Sequence, residues 1–493
     1  MEINNDKENK NDFNNSELND YVRKRIEEEK AKRTDSFVKL ESFRIIGDLL
    51  ILFVLGVFVT SPFIQLFLRL INGFDDQQLV VTSSYVRYYQ WTIQNTHYMI
   101  RFTAVIVVIW LFIYRFLQRK YIKQNVVKID LKELILRLIP LIVFGMLAVD
   151  IALVTVIRGP NEYDLTGHPY MFESIYSYIS YPLVFFFCGT MLYHEKYRRF
   201  LIYSLIFTAI PINILALVNE WIIKFPYFKG KGVCAVFHNS NHYGYYLAIT
   251  IISAALLFVY EKNIWLKVIS AVSATIATMI LIINNTLGAY LAVLFVLIVF
   301  AIYCFFIAKN NRIKALIILF SYLLITFVMS FKYKTIMSSF IVLFGDINMI
   351  IEDPLEADSA GSSRWRLWKG TIGHMGESPW LGFGVEGMLN TYHVGTPHNE
   401  FLQYAEFFGI PASLLYIIGC SMVLIRVLCN SKAMSNTTMI CFFVSLCYLA
   451  SSFFGVAIYY TTPFIYIFLG LTYAEYLKEG KKKSSVVEGN NKE

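Results

Sequence analysis

The sequence predicts an all-α integral membrane protein, with about twelve transmembrane helices and one long extracytoplasmic loop between the ninth and the tenth. Three observations predict it. Of 493 residues, 56% are apolar or aromatic and only 16% are charged, with a mean hydropathy of +0.51, where a soluble domain averages about 45–50% and ~25%. The apolar residues gather in runs near the ~20 that a helix needs to cross ~30 Å of hydrocarbon. The 44 lysines and arginines, against 36 acids, concentrate in short runs between those stretches, which speaks for membrane orientation and against a nucleic-acid partner.

A polar arm, residues 1–43, comes first. It carries no cleavable signal pattern, so the first span is expected to anchor the chain, and its charged stretch from Val22 to Arg33 reads as a solvated surface helix. Over residues 44–331 the apolar runs are Ile45 to Leu70, Phe102 to Leu117, Leu138 to Ile157, Ile175 to Tyr193, Phe200 to Val218, Tyr243 to Tyr260, Val268 to Ile283, Leu287 to Ile307 and Ala315 to Phe331. The loop after the second run holds Arg119, Lys120, Lys123, Lys128 and Lys132, whereas the loop after the third holds only Arg158, which places the former in the cytoplasm. Alternation then puts His194 to Arg199, Lys262 to Lys267, Lys309 to Lys314 and the basic tail 478–493 on the same side, with both termini inside. Two outward segments run against this bias, one with Lys224, Lys229 and Lys231 and one with Arg364, Arg366 and Lys369. Cations exported in this way call for an anionic partner.

The second of these segments is the long loop over 332–398. Loops of this length are functional or disordered, and Trp365, Trp368 and Trp380 argue for order, since disordered segments are poor in aromatics. Trp365 and Trp368 stand three apart, as on one helix face, and Pro379, Gly382 and Gly384 announce a turn beyond them. The last three runs, Ile410 to Leu428, Met439 to Ile458 and Pro463 to Leu477, lie within 399–477. The seven cysteines include no CxxC pair and sit in or beside apolar runs, so no disulfide framework or zinc ribbon is expected.

Few residues outside the spans carry chemistry. Arg364 and Arg366 flank Trp365, and a guanidinium fork binds phosphate oxygens in bidentate fashion at any biological pH; an interfacial anchor is the plainer reading of the same residues. His398, in Pro397-His398-Asn399-Glu400-Phe401-Leu402, is an imidazole able to take a proton from a hydroxyl nucleophile. In the cluster Phe237-His238-Asn239-Ser240-Asn241-His242 the two histidines stand four apart, but no carboxylate or cysteine adjoins them, so no metal site is expected. Asn239 and Asn241 there suit sugar hydroxyls or loop ties. Among the spans only Asp150 lies near a midplane, fewer charges than a proton-coupled transporter would carry.

The loop motifs, Ser363-Arg364-Trp365 with Trp368, Pro379-Trp380-Leu381-Gly382-Phe383-Gly384, Pro397-His398-Asn399-Glu400-Phe401-Leu402 and Gly409-Ile410-Pro411, resemble the signature region of the O-antigen ligase and O-antigen polymerase family of polytopic membrane glycosyltransferases. Phe237-His238-Asn239-Ser240-Asn241 resembles the family's upstream F-x-N-x-N element. The resemblance implies transfer of a glycan from undecaprenyl pyrophosphate to an acceptor hydroxyl outside the cytoplasmic membrane, with no nucleotide, metal or other cofactor. It places the family's loop arginine at Arg364 and its catalytic histidine at His398; Asn399, Asn239 and Asn241 are expected beside them as substrate-binding residues. Many relatives carry a further arginine at the outer start of the span after the F-x-N-x-N helix pair, whereas here the stretch reads Asn284-Asn285-Thr286-Leu287-Gly288-Ala289-Tyr290. Arg366, Lys369, Lys229 and Lys231 are the cations available in its place. The expected partners are the lipid-linked glycan donor, a glycan, lipid or protein acceptor, and membrane lipid. A transporter or flippase of lipid-linked oligosaccharide is the rival, and nothing in the motifs separates polymerase from ligase.

Overall fold

The computed structural model describes residues 6–71, 99–117, 131–167, 173–223, 235–237, 239–354, 357–387, 396–458 and 461–490. The helices are α1 (Asp6–Ile71), α2 (Met99–Leu117), α3 (Leu131–Arg158), α4 (Glu162–Thr166), α5 (Ile175–Met191), α6 (Glu195–Trp221), α7 (Ser240–Tyr260) and α8 (Ile264–Asn284). After them come α9 (Leu287–Phe306), α10 (Arg312–Lys332), α11 (Thr335–Glu352), α12 (Arg364–Met375), α13 (Glu400–Phe408), α14 (Ile410–Cys429), α15 (Asn436–Ser452) and α16 (Thr462–Asn490). Among the described residues there is no β-strand. Each of the twelve apolar runs overlaps a helix, but the run Met439 to Ile458 outlasts its helix, which ends at Ser452. Nine of those helices are long and apolar enough to cross a membrane, while α5 and α15 are shorter apolar helices of 17 residues each.

The chain divides into two compact units, Met1–Ile51 with Ile106–Ile129, and Leu52–Val105 with Asp130–Glu493. In the first, Phe43 stacks on Trp110 with ring centroids 5.6 Å apart. Gly47 lies against the same indole, where any side chain would collide with it. Arg44 sits between Glu41, at 3.5 Å, and the buried Asp48, at 3.8 Å.

The second unit is built around α7. In this helix 89% of the apolar window is buried, against 50% or less in the other eight spans, so a helix that is apolar all round is the core of the bundle. It packs against α8, α9, α15 and α6. Gly244 lets it approach the α8–α9 turn, since a Cβ there would stand 2.7 Å from the Cβ of Thr286. A second close crossing joins α5 and α16, where a Cβ on Gly470 would stand 3.2 Å from the amide nitrogen of Gly189. Small residues at such crossings let backbones approach where lipid offers no hydrophobic drive for helix association. The opposite pattern marks α10. Only 22% of its window is buried, and Phe320, Phe327 and Phe331 are 74%, 63% and 74% exposed, the surface expected of a helix solvated by acyl chains. The chain is a multi-pass membrane protein.

Candidate active site at the α12–α13 junction

Helix α12, which carries Arg364, Arg366 and Lys369, packs against α13, which begins two residues after His398. The turn into α12 is unusual: Gly361, Ser362 and Ser363 all have positive φ, 62°, 58° and 68°. The left-handed region costs a non-glycine residue about 1–2 kcal/mol, so two serines in succession need external support. Asp346 of α11 supplies it, accepting the Gly361 amide at 2.9 Å. Arg364 follows as the first residue of α12, half-buried, with its Nε lacking a partner among the described residues.

The rest of α12 fixes the neighbouring strands of chain. Leu367 and Thr371 form its buried face. Trp365 donates through Nε1 to the Pro354 carbonyl at 2.9 Å, and Trp368 donates to the Pro397 carbonyl at 3.0 Å, directly before His398. The helix read from the spacing of these two tryptophans is therefore present, and each indole anchors a different segment. Farther along, His374 Nδ1 meets Glu406 Oε1 at 2.7 Å while its ring stacks on Phe383 at 3.6 Å. Glu406 is fully buried, and burial raises its carboxyl above the ordinary value. The α12–α13 pair is thus pinned at two points, one close to His398 and one at the far end.

His398 itself lies at φ +52°, with its amide turned toward Thr396 Oγ1 at 3.4 Å. Burial lowers its pKa to about 4, and the nearby positive charge of Arg364 acts in the same direction. The imidazole is neutral at physiological pH and able to accept a proton. Asn399 caps α13, its Oδ1 accepting the Leu402 amide at 3.1 Å. Glu400 turns away into the bundle. Its two oxygens accept the hydroxyls of Tyr416, at 3.2 Å, and Tyr448, at 3.0 Å, and burial raises it to about 7. With both oxygens engaged, it is poorly placed to attack a sugar. Glu173, also buried and raised to about 8 by burial, accepts Tyr181 OH at 2.5 Å.

The other expected binding residues are distributed less simply. Asn239 caps α7 by accepting the Asn241 amide at 2.8 Å. Lys369 is committed locally, to Asp358 at 2.8 Å and the Pro354 carbonyl at 2.9 Å. Arg366 is exposed, away from the buried Leu367–Thr371 face. Asn285 forms a left-handed cap at the end of α8, and Thr286 ties the α8–α9 turn to the Ser240 carbonyl at 3.2 Å. Lys229, Lys231 and His238 lie outside the described residues. Among the described residues, no group of three histidine, cysteine or acidic side chains is arranged to hold a metal ion.

The glycine motif is a backbone clamp. Phe383 and Gly384 donate their amides to the carbonyls of Glu406, at 2.7 Å, and Phe407, at 3.0 Å, while Ile410 donates to the Pro379 carbonyl at 2.8 Å. Gly382, at φ +61°, comes so close to the α13–α14 corner that a Cβ would stand 2.6 Å from the Gly409 nitrogen. The clamp is locked by a pair that sequence reasoning missed. Arg158 donates to the carbonyls of Leu381 and Phe407, at 3.2 and 3.0 Å, and to Asp164 Oδ2 at 2.7 Å; the buried Asp164 also accepts the Val385 amide at 3.0 Å. Arg158 stood out in the sequence only as the lone cation of its loop. Gly384→Ala would place a Cβ 2.6 Å from Arg158 Nη2 at φ +79°, and we expect a loss of about 2 kcal/mol or more from backbone strain plus the displaced ion pair. Thermal unfolding of the purified protein followed by intrinsic fluorescence checks this; an unchanged midpoint would mean that the lock adds nothing to stability.

Comparison with known families places this geometry. Residues 272–417 match the family model described as O-antigen ligase, a stretch that contains both Arg364 and His398. Comparison with curated proteins finds no match. The match covers less than a third of the chain and shows that this segment is similar to the O-antigen ligase family.

Proposed function

With the similarity of residues 272–417 to the O-antigen ligase family as the premise, we propose that the protein transfers a glycan from undecaprenyl pyrophosphate to an acceptor hydroxyl on the extracytoplasmic side of the cytoplasmic membrane. The observation that carries this reading is the pairing of a neutral, half-buried imidazole at His398 with the guanidinium of Arg364, whose charge depresses its basicity. Arg364 takes the diphosphate, His398 the proton.

In the proposed step the acceptor oxygen attacks the anomeric carbon, and the bond from that carbon to the diphosphate oxygen breaks with its electron pair leaving on the diphosphate. The acceptor proton passes to His398. Arg364 stabilises the charge that grows on the leaving group, where one placed donor contributes ~3 kcal/mol. A single displacement inverts the anomeric centre. A double displacement needs a free carboxylate beside the sugar, and Glu400 is held by Tyr416 and Tyr448 instead. Arg366 lies on the exposed side of the same helix and is the cation best placed to meet the donor after Arg364.

The test uses purified protein in detergent with a synthetic undecaprenyl-pyrophosphate oligosaccharide and EDTA, reading released undecaprenyl pyrophosphate and glycan length. Release that persists in EDTA is expected. Lengthened glycan identifies a polymerase, and release only on adding a foreign acceptor identifies a ligase. Donor binding without turnover under any acceptor would overturn the enzyme reading in favour of a transporter of lipid-linked oligosaccharide.

A further inference from the structure

Helix α11 presents a face that is exposed among the described residues. Met337, Ile341, Val342, Phe344 and Ile351 are 59%, 69%, 58%, 64% and 71% exposed. Met337, Ile341 and Phe344 follow at four- and three-residue spacing, and Ile351 stands two turns beyond Phe344 on the same side, past the polar Asn348. The opposite side is attached to the bundle: Phe340 meets Tyr290 edge-on at 5.9 Å, and Ser339 Oγ donates to Asn285 Oδ1 at 3.1 Å. Large apolar side chains gathered and exposed on one side of a helix mark an interaction surface.

What covers it follows from the elements beside it. α11 begins three residues after α10 ends, and α10 is exposed over its phenylalanines in the manner of a lipid-facing span. At the end of α10 stand the residue types that collect at headgroup depth. Trp221 Nε1 donates to Tyr333 OH at 2.7 Å, and Lys332 Nζ lies 5.2 Å from the Trp221 ring and 5.4 Å from that of Tyr333. This belt marks the membrane boundary where α11 starts. A helix leaving the boundary with an apolar outer stripe lies in the interfacial plane.

We infer that α11 is an in-plane membrane helix whose outer stripe is seated in bilayer lipid at the boundary marked by Trp221, Lys332 and Tyr333. Asp346, on the same helix, holds the Gly361 amide at 2.9 Å and so ties the left-handed turn before Arg364 to an element fixed at headgroup depth. A lipid diphosphate presents its phosphates at that depth. The placement of α11 does not depend on the transfer reaction, and its test reads no activity.

The experiment is nitroxide accessibility in the full-length protein reconstituted into phosphatidylethanolamine–phosphatidylglycerol bilayers. Cys429, which is exposed, and Cys234, which lies outside the described residues, are changed to serine, and the fully or nearly fully buried Cys188, Cys304, Cys420, Cys441 and Cys447 are kept. Single labels go at Met337, Ile341, Phe344 and Ile351, with Phe320→Cys as the lipid reference and the exposed Glu377→Cys as the aqueous one. Oxygen collisions exceeding those of a water-soluble nickel chelate several-fold at the stripe, as at Phe320, are expected. Nickel access equal to that at Glu377 would overturn the inference. Exclusion of both reagents would also overturn it, by showing that protein covers the stripe.

Discussion

His398→Gln is expected to insert and fold normally and to lose glycosyl transfer by about 10²–10⁴-fold, the contribution typical of a placed general base. Glutamine keeps the size and hydrogen-bonding character of the side chain but cannot take the acceptor proton. The measurement is single-turnover release of undecaprenyl pyrophosphate, with donor binding recorded on the same preparation. Unchanged turnover would remove His398 from the chemistry. A control at Asn399 separates loop geometry from proton transfer: Asn399→Ala removes the cap of α13 and should cost about 1 kcal/mol of stability.

The same histidine predicts a pH signature. In the free protein its pKa lies near 4, lowered by burial and by Arg364, so the base stays neutral as pH falls through the ordinary histidine range. The acid limb of kcat/KM should therefore lie well below pH 6.5, the group's ordinary value. A bound diphosphate sets negative charge against Arg364 and offsets its effect on the imidazole. The pKa then rises, and the acid limb of kcat, which reports the donor complex, should lie at higher pH than that of kcat/KM. Stability has a matching sign. Below pH 6.5 the unfolded chain binds a proton that the folded site refuses down to about 4, so this group destabilises the fold progressively as pH falls through that window.

How far the sequence revealed this arrangement depended on whether the physics was local. Apolar runs are a local property, and each of the twelve overlaps a helix, although Met439 to Ile458 continues past the helix end at Ser452. The Trp365–Trp368 spacing gave α12, and the Asn399–Glu400 step before Phe401 and Leu402 contained the cap of α13. Helix α11 escaped notice because Asp346 and Asn348 interrupt its apolar residues, so it reads as part of a polar loop when the search is for uninterrupted spans of ~20. The Arg158–Asp164 lock joins the end of α3 to carbonyls 223 and 249 positions away, and no periodicity encodes such a pairing. Gly382 and Gly384 were legible as a turn, but the reason for glycine, a backbone laid on the α13–α14 corner, required the packing. The left-handed turn at Ser362 and Ser363 has no composition signal at all, since serine is an ordinary helix-start residue.

That turn makes Arg364 the more discriminating residue to replace. Arg364→Ala should lower transfer by about 3 kcal/mol in activation free energy, roughly 10²-fold, if the guanidinium meets the leaving diphosphate mainly in the transition state. In that case kcat and kcat/KM fall together, whereas a purely ground-state clamp would raise KM and leave kcat alone. Arg364→Lys keeps the charge but loses the planar fork, and should recover only part of the loss. An electrostatic readout accompanies both. Removing the positive charge in Arg364→Ala relieves one of the two causes that depress His398, so the acid limb of the residual kcat/KM should move up in pH, while Arg364→Lys leaves it nearly in place. A loss of activity in Arg364→Ala with no movement of that limb would separate the two residues in space. It would confine Arg364 to anchoring the turn that Asp346 supports, and the diphosphate would then need another cation, with Arg366 the first to replace.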